Sequence, residues 1–163
     1  MSHVFALLTL FALNFGGWAV ITVENLPDQV VVGQAVTLDF TVRQHGHTLL
    51  SNLNARVVAE AGGDRVSAVA QPGASEGRYR ATVTLPHAGA WSITIYSGFG
   101  NSNVTLLPLA AVGPGRAVAA LPATERGRQL FVAKGCVTCH VHPEVSGSGV
   151  VKVGPDLTGR RFT

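Results

Sequence analysis

Between residues 20 and 111 the chain repeatedly alternates apolar and polar residues. In VTLDFTV, from Val36 to Val42, every second residue is apolar and the residues between are Thr or Asp. A period of two is typical of a half-buried β-strand, and no segment in this region has helical spacing. We therefore expect strands over 21–32 (interrupted at Pro27), 35–44, 53–60, 64–70, 77–85, 90–97 and 102–110.

Glycine- and proline-containing turns separate these strands. About seven short strands in roughly 90 residues are typical of an immunoglobulin-like antiparallel β-sandwich, which we place at residues 20–111. The segment GRYRATVTLPHAGAWSITIYSG, residues 77–98, resembles the YtkA/FixH-like family of extracytoplasmic Ig-type domains. In that family a Gly-x-Tyr strand, a Leu-Pro turn and a Gly-x-Trp strand recur. The resemblance implies a fold, in which Tyr79 and Trp91 are core aromatics.

Some members of that family are associated with copper handling or oxidase assembly, which directs attention to three histidines. Copper favours convergent imidazoles. His45 and His47 follow the second predicted strand, whereas His87 lies between the fifth and sixth, at the other end of such a sandwich. We expect these histidines to be solvated loop residues, and keep copper handling or oxidase assembly as an alternative function.

The stretch PLAAVGPGRAVAALPAT, residues 108–124, contains three prolines and two glycines and has no clean period. It predicts an extended linker, placed at 112–123. The alternative is a last strand that continues through Val112, with the linker starting at Gly113. A helix is expected next, with Thr124 as its N-cap and its end at Gly135.

Cys136 and Cys139 are the two cysteines of the chain, and His140 follows them directly in CVTCH. CxxCH is the attachment signature of c-type haem: both thiols add to porphyrin vinyl groups, and the histidine binds the iron axially. A redox dithiol lacks the surrounding βαβ pattern, and a zinc site lacks a second ligand pair. His142 is too close to His140 to reach the opposite haem face, so we expect it at the surface.

The surroundings of this motif resemble class I cytochrome c. In that family a short helix carries Gly and an aromatic residue four apart, here Gly127 and Phe131, and a Gly-Pro-x-Leu stretch follows the attachment sequence, here GPDL at 154–157.

The cytochrome c resemblance implies roles for several residues. The Pro155 carbonyl would accept a hydrogen bond from the His140 ring, and Leu157 would pack on the haem. Arg160 or Arg161 would pair with a propionate.

In the family a distal methionine and a C-terminal helix come well after Gly-Pro-x-Leu, and the sequence ends at Thr163 with neither. Residues 124–163 are therefore interpreted as the N-terminal part of a cytochrome c domain that appears truncated. The alternative is a whole chain in which solvent, a partner's side chain or His87 is the sixth iron ligand.

The apolar run from Val4 to Leu13 predicts that residues 1–19 are a signal peptide or an N-terminal anchor, and places the rest outside the cytoplasm. Hydrophobic residues make up 47% and charged residues 13% of the chain, which fits a folded protein. The net charge is +3, and the positive charge lies in residues 116–163, which contain seven Lys/Arg and three Asp/Glu, whereas residues 20–115 contain five Arg and six Asp/Glu. The basic residues are scattered without aromatic interleaving, which disfavours nucleic acid and favours an acidic protein partner.

Together these patterns predict a mainly β protein: an Ig-like sandwich followed by a partial α-helical cytochrome c domain. We expect an extracytoplasmic electron carrier, in the periplasm or on the outer membrane face, with one covalent haem c and no catalytic residue. Its partner would be a redox protein, with a membrane respiratory complex among the candidates, and the sandwich would be a docking or spacer module. A haem-based ligand sensor is the second alternative.

Overall fold

The computed structural model describes residues 17–145 and 153–159. Within them the chain forms a mainly β sandwich of two sheets with one short C-terminal helix. The strands are β1 Ala19–Val23, β2 Gln29–Val31, β3 Ala35–Gln44, β4 Thr48–Leu49, β5 Arg56–Ala61, β6 Asp64–Val69, β7 Gln71–Pro72, β8 Arg78–Thr84, β9 Gly89–Tyr96, β10 Asn103–Thr105 and β11 Leu109–Val112. One sheet has the order β1-β3-β8-β7, with β4 beside β3; the other has the order β2-β11-β9-β5-β6, with β10 beside β9.

The apolar side of each long strand faces the space between the sheets, as the alternation predicts. In β8 buried and exposed residues alternate along the whole strand. Tyr79 and Trp91 are both buried, so the prediction that they are core aromatics is confirmed. The Tyr79 hydroxyl donates a hydrogen bond to the Leu50 carbonyl (2.7 Å) and accepts one from the Leu53 amide (3.1 Å). Its polar end is therefore satisfied inside the core.

Two predicted strands are divided in the structure, each at a proline. The first is split around Pro27: β1 pairs antiparallel with β3, whereas β2 joins the other sheet and pairs parallel with β11. The last is split around Pro108 into β10 and β11. Proline has no amide hydrogen and a fixed φ, so it interrupts a hydrogen-bonded ladder. The sandwich is therefore antiparallel except for the pair of β2 and β11.

The segment after β11 is fixed to the sandwich. β11 ends at Val112, so the alternative in which the linker starts at Gly113 describes the structure. The Ala119 amide donates to Gln29 Oε1 (3.2 Å) and the Leu121 amide to Asp28 Oδ2 (3.3 Å). The chain thus returns along the side of the sandwich from the end at which β11 stops.

The helix, α1, spans Ala123–Ala133. The predicted N-cap is wrong, because Thr124 already lies in the first helical turn and Pro122 occupies the cap without a side-chain hydrogen bond. The helix stops before Gly135, whose φ of +77° is left-handed, as is common just after a helix. In the part of the chain that is described, no helix has the length and apolar character to cross a membrane.

Candidate haem-attachment site

α1 lies against β1, the outer strand of its sheet. Lys134 Nζ donates to the Val23 carbonyl (2.7 Å), and Arg126 Nη2 donates to the Leu26 carbonyl (2.8 Å) just beyond β1. Arg126 also forms an ion pair with Asp28, at 2.9 Å. These contacts supply donors to carbonyls that have no strand neighbour on this side, and so cover an exposed sheet edge.

One face of α1 is buried and the other is open. Gln129, Val132 and Ala133 are buried, and the last two belong to the same hydrophobic core as the sandwich. Gly127 is exposed, and no atom lies within 4 Å of where its Cβ would be. Phe131 is half-buried, with its ring 5.9 Å from that of His142. His142 is therefore half-buried beside Phe131, rather than at the open surface as expected.

Gly135 joins the helix to the attachment motif and touches β1 directly. A Cβ at this position would lie 2.5 Å from Val20 Cγ1 and 2.9 Å from the Ile21 carbonyl oxygen. Both its left-handed φ and this close approach require glycine. The sandwich therefore determines where the next residues, CVTCH, begin.

The attachment motif is a compact turn. Cys136–Thr138 form one 3-10 turn, and the amides of Cys139 and His140 both donate to the Cys136 carbonyl, at 3.2 and 2.9 Å. Val137 packs against the core of the sandwich. Both thiols are free and half-buried, so no disulfide joins the two cysteines of this turn.

The Cys139 thiol is harder to ionise than an ordinary thiol. Burial is the main cause that raises its pKa, and the neighbouring Cys136 adds to it. The thiol form is therefore favoured at neutral pH, and the reactive thiolate appears at higher pH than for a free cysteine.

The His140 ring is oriented by the GPDL stretch. Its Nδ1 lies 2.9 Å from the Pro155 carbonyl oxygen, so this nitrogen must be the donor. This is the hydrogen bond that the cytochrome c resemblance implies. Gly154 lies so close to the ring that a Cβ there would be 2.6 Å from His140 Cε1.

Two backbone hydrogen bonds hold GPDL against the motif. The Gly154 amide donates to the Cys139 carbonyl (3.0 Å), and the Leu157 amide donates to the Val141 carbonyl (2.9 Å). Leu157 is half-buried, and Pro155 is exposed apart from its carbonyl contact.

These residues fit a covalently bound haem. Two free thiols lie three residues apart in one turn, and the following imidazole has its Nδ1 fixed by a carbonyl. Its Nε2 has no hydrogen-bond partner among residues 17–145 and 153–159, and is the nitrogen that would bind iron.

His87 is wrong as an internal candidate for the sixth ligand. Its Nε2 lies 3.0 Å from Asp64 Oδ2, and its Nδ1 is 3.1 Å from the Ala88 carbonyl oxygen. The expectation rested on the linker leaving the sandwich near His87, which it does. The returning chain, however, carries the motif to Val20, which pairs with Arg43 near one end of β3. His87 lies near Ala35 at the other end of β3, eight residues away. That separation is about 25 Å.

His45 and His47 lie in the turn between β3 and β4, at the end opposite His87, as predicted. Both are exposed. Throughout the described ranges, no three His, Cys, Asp or Glu side chains are grouped so as to hold a metal ion.

Other predictions lie outside the described residues. They concern Arg160 and Arg161, proposed to pair with a propionate, and nearly all of the signal peptide or anchor at 1–19.

No protein-family profile and no curated protein matches the chain. Among solved structures, the Lin-41 filamin domain is similar at 12% identity, with 58% of this chain and 91% of that one covered and a TM-score of 0.45. Domains 4 and 5 of the S-layer protein SbsC give 24% identity, 56% and 50% coverage and a TM-score of 0.41. A CARDB domain from Pyrococcus furiosus, solved with di-metal ions, is similar at 14% identity, with 60% of this chain and 90% of that one covered and a TM-score of 0.36.

At these identities and scores the similarities go no further than the β-sandwich. They lend no support to the attachment segment. The YtkA/FixH-like and cytochrome c resemblances therefore depend on the quoted motifs alone.

Sequence reasoning missed the residues that position the motif. Gly135 was interpreted only as a helix end, and Val20 lay just before the first predicted strand and was given no contact. Lys134 was assigned to the helix without a partner. The one available signal was the glycine directly before CVTCH, but its contact with β1 depends on the path of the linker.

Proposed function

We propose that the protein is an extracytoplasmic c-type cytochrome that transfers electrons. The observation that carries this proposal is the arrangement at His140. Its Nδ1 is held by the Pro155 carbonyl, and two free thiols stand in the turn directly before it. Residues 124–163 would correspond to the N-terminal part of a class I cytochrome c domain, joined to a YtkA/FixH-like sandwich.

Cys136 and Cys139 would hold one haem c through thioethers, with His140 as its axial ligand. The haem supplies an iron that alternates between ferrous and ferric states. The Pro155 carbonyl fixes the tautomer and the angle of the imidazole, and raises its donor strength. Leu157 would border the haem. No residue is assigned a role in bond-making catalysis.

The contacts of α1 favour a more specific role for the sandwich than that of a spacer. The buried helix face, the Lys134 hydrogen bond and the Gly135 contact all attach the motif to β1. The sandwich would therefore act as the base that orients the haem, and as the surface that a redox partner meets beside it.

The positive charge of residues 116–163 is partly neutralised in the structure. Arg126 pairs with Asp28, Arg128 with Glu144, and Lys134 Nζ lies 3.8 Å from Glu24 Oε2. Steering of an acidic redox partner, such as part of a membrane respiratory complex, would depend on the remaining basic residues, and its rate would fall as salt is added.

The proposed location is the periplasm or the outer membrane face, either free or tethered. It depends on the apolar N-terminal run from Val4 to Leu13.

The test is redox spectroscopy of the protein made in a host competent for cytochrome maturation. Dithionite and ferricyanide should interconvert two haem spectra reversibly, and the Cys136→Ser/Cys139→Ser variant should carry no covalent haem. Gly127→Ala is the matched control, since it leaves the motif untouched. A purified wild-type protein without a Soret band, or one whose haem cannot be cycled, would refute the proposal.

A further inference from the structure

The attachment motif and the turn that contains His45 lie at the same end of the sandwich. Val20 connects them: its Cγ1 meets the Cβ position of Gly135 at 2.5 Å, and its Cγ2 meets that of Gly46 at 3.7 Å. One valine side chain and two contacts separate the two glycines, so their Cα atoms are within about 12 Å of each other. His45 and Cys136 are the residues directly next to these glycines.

His45 lies beside the start of β1, next to Trp18. β1 and β3 pair with Val20 opposite Arg43, and the His45 amide donates to the Trp18 carbonyl at 3.1 Å, which continues the ladder. The His45 ring packs on the Trp18 ring, with 5.4 Å between centroids. The two rings therefore lie together just outside the first pair of the β1–β3 ladder, Ala19 and Gln44, and Val20 is the next residue of β1.

His45 adopts a left-handed backbone conformation in the turn between β3 and β4 and leaves its imidazole unengaged. Its φ is +51°, and in the described part of the chain only one other non-glycine residue, Asn52, has a positive φ. Histidine and asparagine are both among the non-glycine residues that adopt this conformation most often. His45 is exposed, and its ring nitrogens have no hydrogen-bond partner among the described residues, whereas both nitrogens of His87 are engaged. His45 therefore presents, close to the attachment turn, an imidazole that no described residue engages by a hydrogen bond.

We propose that His45 is the second axial ligand of the haem iron, supplied by the sandwich across Val20 from the attachment turn. The proposal rests on the proposed function, because it requires a haem at Cys136 and Cys139. It gives the sandwich a direct part in the haem site, and predicts iron held between two imidazoles, those of His140 and His45.

The experiment compares His45→Asn with His47→Asn in the full-length haem-loaded protein. Asparagine removes the imidazole but tolerates a left-handed φ, so the turn should survive. His47 is the matched control in the same turn, and His87→Asn is the control at the other end. Electron paramagnetic resonance and near-infrared magnetic circular dichroism report the spin state and the axial ligands, and haem staining on a denaturing gel reports attachment separately.

We expect a low-spin, bis-imidazole iron in the wild type and in both controls, and a high-spin iron in His45→Asn. Free imidazole should restore the low-spin signal in that variant, since it replaces the missing ligand. A low-spin signal that persists in His45→Asn, a high-spin wild type, or a thioether-to-iron charge-transfer band would overturn the assignment while covalent haem is still present. Absence of covalent haem would instead refute the proposed function as well. His45→Gly provides a second variant if asparagine impairs folding.

Discussion

Replacing Gly135 by alanine tests whether the sandwich holds the attachment motif. The new Cβ would lie 2.5 Å from Val20 Cγ1 and 2.9 Å from the Ile21 carbonyl oxygen. The side chain of Val20 has limited room and the carbonyl belongs to β1, so either α1 or the strand must shift. Overpacking of this kind costs about 1–3 kcal/mol. The left-handed φ adds about 1–2 kcal/mol for any residue with a Cβ. We expect the free energy of unfolding to fall by roughly 2–5 kcal/mol.

The assay is urea denaturation followed by circular dichroism and tryptophan fluorescence, with Gly127→Ala as the control. Gly127 lies in α1 with no atom within 4 Å of its Cβ position, so alanine there should stabilise the helix by about 0.5–1 kcal/mol. The two glycine-to-alanine changes should therefore have opposite signs. If Gly135→Ala were as stable as the wild type, the contact between the motif and β1 would not exist as described.

Three further predictions concern the edge of β1, the thiol and the core. Lys134→Met should lower the free energy of unfolding by about 1.5–3 kcal/mol, because it removes a charged donor from the Val23 carbonyl; an unchanged urea midpoint would contradict this. In haem-free protein, iodoacetamide should modify Cys139 more slowly at pH 8 than it does in urea, because the raised pKa leaves less thiolate, and the folded rate should keep rising at higher pH; equal rates would contradict the burial effect. Tyr79→Phe should cost about 1–3 kcal/mol in thermal or urea unfolding, since it leaves buried backbone groups unpaired, whereas Tyr96→Phe should be nearly neutral; equal effects would contradict the role of the hydroxyl.

The sandwich was predictable because each long strand repeats the same apolar alternation over six or more residues. β3 and β8 lie within a residue of the predicted bounds at every end. The divided strands were harder, because Pro27 indicates an interruption but not that the chain crosses to the other sheet. That crossing depends on the pairing of β2 with β11, which lies about eighty residues further along the sequence.

One contact of the CVTCH motif was predictable, but the location of the motif was not. The cytochrome c resemblance implied the hydrogen bond between His140 and Pro155, because GPDL follows CVTCH at a specific distance. His87 was considered as an internal sixth ligand because the sequence indicates where the linker leaves the sandwich. The sequence does not indicate that the linker then runs back along β2 and β1. Only the tertiary contacts of Ala119, Leu121 and Gly135 establish that path.

The measurement that tests the central claim most directly is the intact mass of the protein under denaturing conditions, after production with cytochrome maturation. We predict an increase of one haem per chain, carried by the peptide that contains Cys136 and Cys139 and lost when both are serine. A chain of unmodified mass, with both thiols still open to alkylation, would contradict the assignment of the protein as a c-type cytochrome.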